Sequence, residues 1–530
     1  LKHVKQCDLD KDGRLEVFAY ILRRLGALVV ILFGSSFLLY NLSAISTDPL
    51  GELRLSDAPN KDQLILNLTR ELRLDLPPPL RYFIWLRGVL GIFVGRADFG
   101  LTREQEPVLD AIMGAIPTTI RLVAVATLVA IVLGIALGIT SALRQYSRFD
   151  YGMTFFAFLL FSLPIFWVAV LLKQYLAIDF NDFLVSAKIS PPWIIGFSIA
   201  TGFFWAAIIS GSRRQVVLIF SGVFVANSIF LSAISATEWL SYPRLGPIAI
   251  FVIGIGIAVG VTYLSVGLSD RNALKTTLLM ALVGTISYFP AQPILSSDRP
   301  RLGILLLFIA LLIVSVSGAL LFARVDRGPV IRTSVITSVL IGTFILIDRM
   351  MQAWRPYVES DDVNYRPVAT IGQSTIWLSE VSFWVRVLDF AMHLILPTLA
   401  LTLISFAGYI RFSRGTLLDV LNQDYIRTAR AKGLTERTVI MRHAFRNTMI
   451  PLTTIMVGDI AGIVGGAIIT ERVFAWQGMG TLFNKAINSF DLNLLMGVIL
   501  FLSTLAILAN LIADLLYSVL DPRIRVGAGK

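Results

Sequence analysis

The sequence predicts an all-α, polytopic membrane protein of about twelve spans, and three observations predict it. Only 15% of the 530 residues are charged, against 56% hydrophobic and a mean hydropathy of +0.75; soluble domains carry about one quarter charged residues. Apolar stretches long enough to cross a hydrocarbon core of about 30 Å recur along the chain, bounded by short charged patches. The basic patches fall on alternate loops, as the positive-inside rule requires. The net charge of +11 is spread over those loops and forms no compact basic domain, so nucleic acid is not an expected partner.

The elements follow in chain order. Segment 1–19 lacks the charged, apolar and small-residue pattern of a signal peptide, and Arg23 and Arg24 place it on the cytoplasmic side. Candidate spans are 20–45, 112–142, 151–178, 193–211, 215–236, 247–268, 276–295, 302–323, 329–347, 388–411, 452–474 and 492–519. From an inside N-terminus, the inside connections are 143–148, Ser212-Arg213-Arg214, 269–275 with Arg271 and Lys275, and 323–327 with Arg324 and Arg327. The last inside loop, 412–451, carries Arg414, Arg427, Arg430, Lys432, Arg437, Arg442 and Arg446, and the cytoplasmic C-terminus carries Arg523, Arg525 and Lys530. Dropping one span would invert every loop downstream. Outside, segment 46–111 holds a short apolar run from Tyr82 to Phe93. It reads as an interfacial helix, the alternative being a small packed extramembrane lobe. The outside loop 348–387 is acidic through Glu359, Asp361 and Asp362, and fits either a soluble partner or plain solvation.

The most informative stretch is 422–451. Tyr425 to Lys432 forms a short amphipathic helix stopped by Gly433, and Glu436 to Phe445 a second, before Pro451 opens the next span. Two short basic helices in one loop make an exposed docking surface; a loop that merely fixes topology is the plainer alternative. Ala429 and Ala431 beside the glycine would let a partner approach the backbone.

These residues resemble a known family. Asp424-Tyr425-Ile426-Arg427-Thr428-Ala429-Arg430-Ala431-Lys432-Gly433-Leu434, then Arg442-His443-Ala444-Phe445-Arg446-Asn447 and Pro451, look like the cytoplasmic signature of the permeases of binding-protein-dependent ABC importers, in the dipeptide, oligopeptide and nickel branch. Glu471-Arg472-Val473-Phe474 with Gln477-Gly478-Met479-Gly480, Ala513-Asp514-Leu515-Leu516-Tyr517 with Leu520-Asp521-Pro522-Arg523, and Ala97-Asp98-Phe99-Gly100 add to the resemblance. It covers roughly 18–178 and 388–525.

The resemblance implies a permease of about six spans, in two parts at 20–178 and 388–525, interrupted by a block of about six further spans at 193–347. An even number keeps the coupling loop inside. The block reads as a packing or assembly module, with an interaction site for a partner protein or lipid behind it. The loop 412–451 would be the coupling element that contacts an ATPase, with Ala429 and Gly433 at the family's small residue and glycine, and Arg427-Thr428 where many importers have Glu-Ala. Implied partners are a second homologous permease, two ATPases that bind ATP and magnesium, an extracytoplasmic substrate-binding protein and a peptide substrate, in a bacterial inner membrane. Nickel chelates and peptide-like antibiotics remain alternative cargoes; a twelve-span secondary transporter and a non-transporting scaffold are the rival classes.

Other signals point away from catalysis. No G-x-x-x-x-G-K-[ST] loop occurs, so ATP hydrolysis is not expected in this chain. Asp8, Asp10, Asp12 and Gly13 open like a calcium loop, but its twelfth position is Ala19, where glutamate is required. Cys7 stands alone, and His3, His393 and His443 are too scattered to suggest a metal site. No nucleophile, base and orienting group can be assembled from the motifs, so no catalytic residue, cofactor or metal is expected. Pro164 and Pro397 fit kinks near a pore or ordinary tolerance in a bundle; Asn510 and Asp514 fit structural hydrogen bonding.

Overall fold

A computed structural model of the chain describes residues 26–46, 48–55, 59–209, 212–323, 327–376, 378 and 382–520, of which 52, 71, 460–466, 509 and 512–520 are described by backbone alone. His3, Cys7, the Asp8–Gly13 loop, Arg23, Arg24, Arg324 and 521–530 lie outside the described residues. In order, the helices are α1 Gly26–Ser46, α2 Gly51–Leu55, α3 Lys61–Glu71, α4 Pro78–Leu90, α5 Val108–Leu143, α6 Arg148–Ser162, α7 Ile165–Leu172 and α8 Asp179–Ser186. Then come α9 Pro191–Ile209, α10 Arg213–Ala236, α11 Gly246–Ser265, α12 Arg271–Leu295, α13 Pro300–Phe322, α14 Arg327–Met351 and α15 Trp354–Val358. The last are α16 Phe383–Leu421, α17 Asp424–Ala431, α18 Glu436–Thr438, α19 Phe445–Gly466, α20 Ile468–Val473, α21 Met479–Asn488 and α22 Leu492–Leu520. Among the described residues there is no strand, only an isolated bridge between Leu101 and Pro107. The protein is all-α and polytopic.

The described residues do not confirm the expected count of about twelve spans. Among the described residues, nine helices (α1, α5, α9 to α14 and α16) are long and apolar enough to cross a membrane. A tenth span results if the pair Arg148–Ser162 and Ile165–Ser186 counts as one, although it bends by 102°. The expected span 151–178 is therefore broken. Leu163 is extended (ψ 130°) because the following Pro164 crowds its α conformation, and Pro164 then caps α7. The expected span 452–474 is also divided, at Ala467, and its second piece carries Glu471 and Arg472, which are costly in lipid. The expected span 492–519 is α22, Leu492–Leu520, whose described side chains are apolar over Leu492–Leu508.

The chain divides into two compact units. The first comprises residues up to Lys173, Ile371–Gln373 and those from Leu394 onward. Here α4 turns Tyr82, Trp85 and Val89 onto Phe37 and Tyr40 of α1 and Val108 and Ile112 of α5. Its opposite side exposes Leu80, Phe83 and Leu90, so this segment joins features of both sequence readings: a packed face and an apolar outer face. Asp98 donates its backbone N–H to Gly88 O at 3.0 Å, so the Ala97–Gly100 block lies against α4 where a side chain on Gly88 would meet Asp98 O.

The long α5 places Ala126, Ala130, Gly134 and Gly138 four residues apart, on one face. Small residues at that spacing let two helices touch backbone to backbone. Against this stripe lies α16: Thr402 donates to Ala126 O at 3.2 Å and Ser413 to Gly134 O at 3.3 Å. A Cβ on Gly134 would strike Tyr409, and one on Gly138 would strike Ser413 Oγ and Ile410 O. Gly138→Leu is expected to destabilise the protein by about 3 kcal/mol through overpacking, read as a lowered unfolding midpoint in detergent. A wild-type midpoint would show that this close approach is dispensable.

The second unit comprises Gln174–Thr370 and Ser374–His393. In it α9 and α10 pair, and α11 to α14 pack together as a bundle around Ile250, Ala258, Ala281, Tyr288, Ile341 and Ile345. Hydroxyls bond across the bundle, as Thr262 does with Thr277 at 2.8 Å. Asp348, at the end of α14, accepts from the backbone N–H groups of Leu245 and Gly246 at 2.7 and 3.1 Å and from Tyr288 Oη at 2.8 Å. A carboxylate on the orphan N–H groups of α11 is a satisfied buried charge. Outward side chains such as Phe203, Val252, Leu264 and Ile313 are exposed and apolar, the polarity of a surface that meets lipid.

Candidate functional site in the loop between α16 and α19

The loop is built on α17, which runs from Asp424 to Ala431. Ile426 and Ala429 lie three residues apart and are both buried. With Val439 and Ala444 they form one apolar cluster with Ala142 of α5 and Leu417 of α16. The seat of α17 is therefore the paired ends of the two close-packed helices. Asp424, Tyr425, Arg427, Thr428, Arg430, Ala431, Lys432 and Leu434 face outward. Of the two alanines expected to admit a partner, Ala431 is exposed, whereas Ala429 is turned into the chain's own core because it shares the Ile426 face.

Gly433 ends α17 with φ +75°, the left-handed conformation that favours glycine, and its N–H bonds Arg430 O at 2.9 Å. Arg430 then reaches across the turn to Glu436, at 2.7 and 3.2 Å. The Arg430 hydrogen bonds hold the Glu436 carboxyl below its ordinary range. Asn447 donates to Tyr425 Oη at 2.8 Å and fixes that ring on the outer face. Arg442 and Arg446 are exposed, and His443 is half-buried.

The second short helix differs from the expectation. Glu436–Thr438 passes into a π turn at Val439–Ala444 and then directly into α19, so Pro451 lies inside a helix that began at Phe445. A proline six residues into a helix bends it without stopping it, since neighbouring groups take up the freed carbonyl.

Beneath the seat lies an ion pair that sequence reasoning missed. Asp150, in the first turn of α6, is 1% exposed and accepts from Arg414 Nε at 2.6 Å and a second guanidinium N–H at 2.9 Å. It also accepts from Ser141 Oγ at 2.5 Å and Tyr146 N at 3.0 Å. One carboxylate thus ties the end of α5, the start of α6 and the end of α16 directly behind α17. The sequence showed Arg414 only as one charge of a basic loop; the available local signal was Ser147, whose hydroxyl caps α6 by accepting from Asp150 N at 3.1 Å.

A second constellation joins α20 and α21. Glu471 is fully buried, accepting from Thr119 Oγ1 at 2.6 Å and Thr481 N at 2.9 Å, while Met479 N donates to Thr119 Oγ1 at 2.8 Å. Phe474, Trp476 and Met479 are buried around it. A Cβ on Gly478 would overlap the Glu471 carboxylate, and one on Gly480 would come within 2.6 Å of Ile468 Cα, so only glycine fits either place.

The α17 loop and the α20–α21 turn fall within residues 335–526, which match the family model of the binding-protein-dependent transport system inner membrane component, whereas their partners Thr119, Ala142 and Asp150 precede that match. Over these residues the chain is similar to that family. Relatives agree: the chain is 44% identical over 143 residues to the oligopeptide transport system permease protein OppB of Mycobacterium bovis, covering 27% of this chain and 44% of that protein. It is 41% identical over 165 residues to the dipeptide transport system permease protein DppB of Escherichia coli, covering 31% and 48%. With the oligopeptide transport system permease protein AppB of Bacillus subtilis it shares 42% over 139 residues, covering 26% and 44%. The chain thus spans just under half the length of the curated relatives it matches. The protein is a multi-pass membrane protein. Within the matched residues, α17 is a short helix whose apolar face is seated on the ends of α5 and α16 while its polar face stays open.

Proposed function

We propose that this chain is the permease subunit of an ATP-driven importer of dipeptides or oligopeptides. The observation that carries the reading is the seating of α17, with Ile426 and Ala429 on the ends of α5 and α16 and Tyr425, Arg427, Thr428, Ala431 and Lys432 outward. A push on the outer face reaches both helices at once, because Asp150 and Arg414 bind their ends together. The loop faces the cytoplasm of a bacterial inner membrane, where two partner ATPases bind ATP and magnesium. A second, homologous permease completes the pathway, and an extracytoplasmic binding protein delivers the peptide. Nucleotide works by differential affinity for two states of the assembly, so this chain needs no bond-making chemistry of its own.

The test is reconstitution of the full chain with its partner subunits in proteoliposomes, measuring ATP-dependent uptake of a mixed peptide pool. Ala431→Trp adds bulk on the outer face, and Gly433→Trp adds bulk where the backbone is also left-handed. Both are expected to reduce uptake more than about tenfold while the assembly still forms; Gly433→Ala separates backbone strain from bulk. Wild-type uptake in both tryptophan variants would overturn the coupling role of the loop.

A further inference from the structure

In the bundle of the second unit, α12, α13 and α14 leave between them a cavity of about 580 Å3. That volume is in the range of small-ligand sites. Its walls are almost wholly apolar, with Ala291 on α12, Phe308 and Ala310 on α13, and Gly342 and Thr343 on α14. Phe308, Ala310 and Thr343 are exposed, so the cavity opens sideways onto the apolar outer surface. Along α13 it runs from Arg301 to Val314, about 20 Å at 1.5 Å per residue, enough to span one leaflet, about 15 Å, of a core of about 30 Å.

Among the described residues Arg301 is the only charged one in the lining, and it lies in the first turn of α13, at the end of the slot. Its guanidinium sits 5.8 Å from the Phe383 ring centre, and Asp298 and Arg299 precede it, leaving the helix entrance with one net positive charge. An apolar slot about a leaflet long, open to the bilayer and closed at one end by a cation, matches an amphiphile with a negative head. Arginine is suited to that head because its planar fork pairs with two phosphate oxygens.

We infer that this slot holds an acyl chain of one anionic phospholipid whose phosphate rests on Arg301. The inference concerns the second unit alone and does not depend on transport.

The full-length protein, delipidated in mild detergent, is offered equimolar dioleoyl phosphatidylglycerol and dioleoyl phosphatidylcholine, and bound lipid is counted by native mass spectrometry. Wild type is expected to retain phosphatidylglycerol about fivefold over phosphatidylcholine. Arg301→Gln keeps lipid but loses the preference. Ala310→Phe, which fills the slot from its open side, loses both lipids, and Val314→Phe gives the same reading should that variant not fold. Leu306→Phe, on the outer surface and away from the slot, behaves as wild type. Equal retention of the two lipids by wild type, an unchanged preference in Arg301→Gln, or full lipid retention in both folded filling variants would overturn the assignment.

Discussion

Arg414→Met is expected to lower stability by about 3–5 kcal/mol, because it leaves the Asp150 carboxylate buried without its countercharge. Asp150 is 1% exposed, and two of its four hydrogen bonds come from the Arg414 guanidinium at 2.6 and 2.9 Å. The bonds that survive, from Ser141 and Tyr146, are short-range ties within α5, α6 and their turn. The variant therefore cuts the link to α16 while keeping the link from α5 to α6. Asp150→Asn should cost less, since an amide carries no charge to strand and still accepts from Ser141. The double variant Asp150→Leu with Arg414→Met should recover much of the loss, as apolar replacements of buried pairs often do. With the single variant Asp150→Leu added to close the cycle, thermal unfolding in detergent isolates the coupling between the two positions. If the double variant were as unstable as the sum of the singles, the pair would contribute nothing as a pair. A double variant that regains stability but not peptide uptake would assign the ion pair to transmission across the seat of α17.

What was legible in the sequence follows from the range of each interaction. The ends of α17 were readable within a residue because the glycine stop at Gly433 is a local signal, and the structure has Asp424–Ala431 with Gly433 left-handed. Most long spans were readable for the same reason: α12, expected at 276–295, runs Arg271–Leu295, its start fixed by Asp270, which accepts from Asn272 N and Ala273 N. Pro164 was visible as a disturbance, but whether it kinks or breaks depends on whether the preceding residue stays helical, and Leu163 does not. The Asp150–Arg414 pair was not legible, because its partners are 264 residues apart and each looks locally like an ordinary helix-end charge. Hydropathy also cannot tell a side chain turned to lipid from one turned to a neighbouring helix. That is why Ala429 read as a docking residue although its face is fixed by burial against Ala142 and Leu417.

Glu471→Ala should be the most damaging single change in the α20–α21 turn, at about 3–5 kcal/mol. The loss has two parts. Thr481 N and Thr119 Oγ1 lose a buried acceptor, about 1–3 kcal/mol for each group left unsatisfied, and the vacated volume adds a cavity cost. Glu471→Gln retains the shape, but its NH2 group must face one of two donors, so an intermediate loss is expected. Thr119→Val should also be costly although it is nearly isosteric, because the Thr119 hydroxyl both donates to Glu471 and accepts from Met479 N. Gly478→Ala tests the same turn from the opposite side: its Cβ would overlap the carboxylate and approach Thr119 Oγ1 to 2.5 Å, so the turn must open to admit it. If the turn is one hydrogen-bonded unit, Glu471→Ala combined with Gly478→Ala should cost less than the sum of the two, since removing the carboxylate frees the space the new methyl needs. Strict additivity in a melt of the purified chain would show that glycine at 478 answers to something other than Glu471.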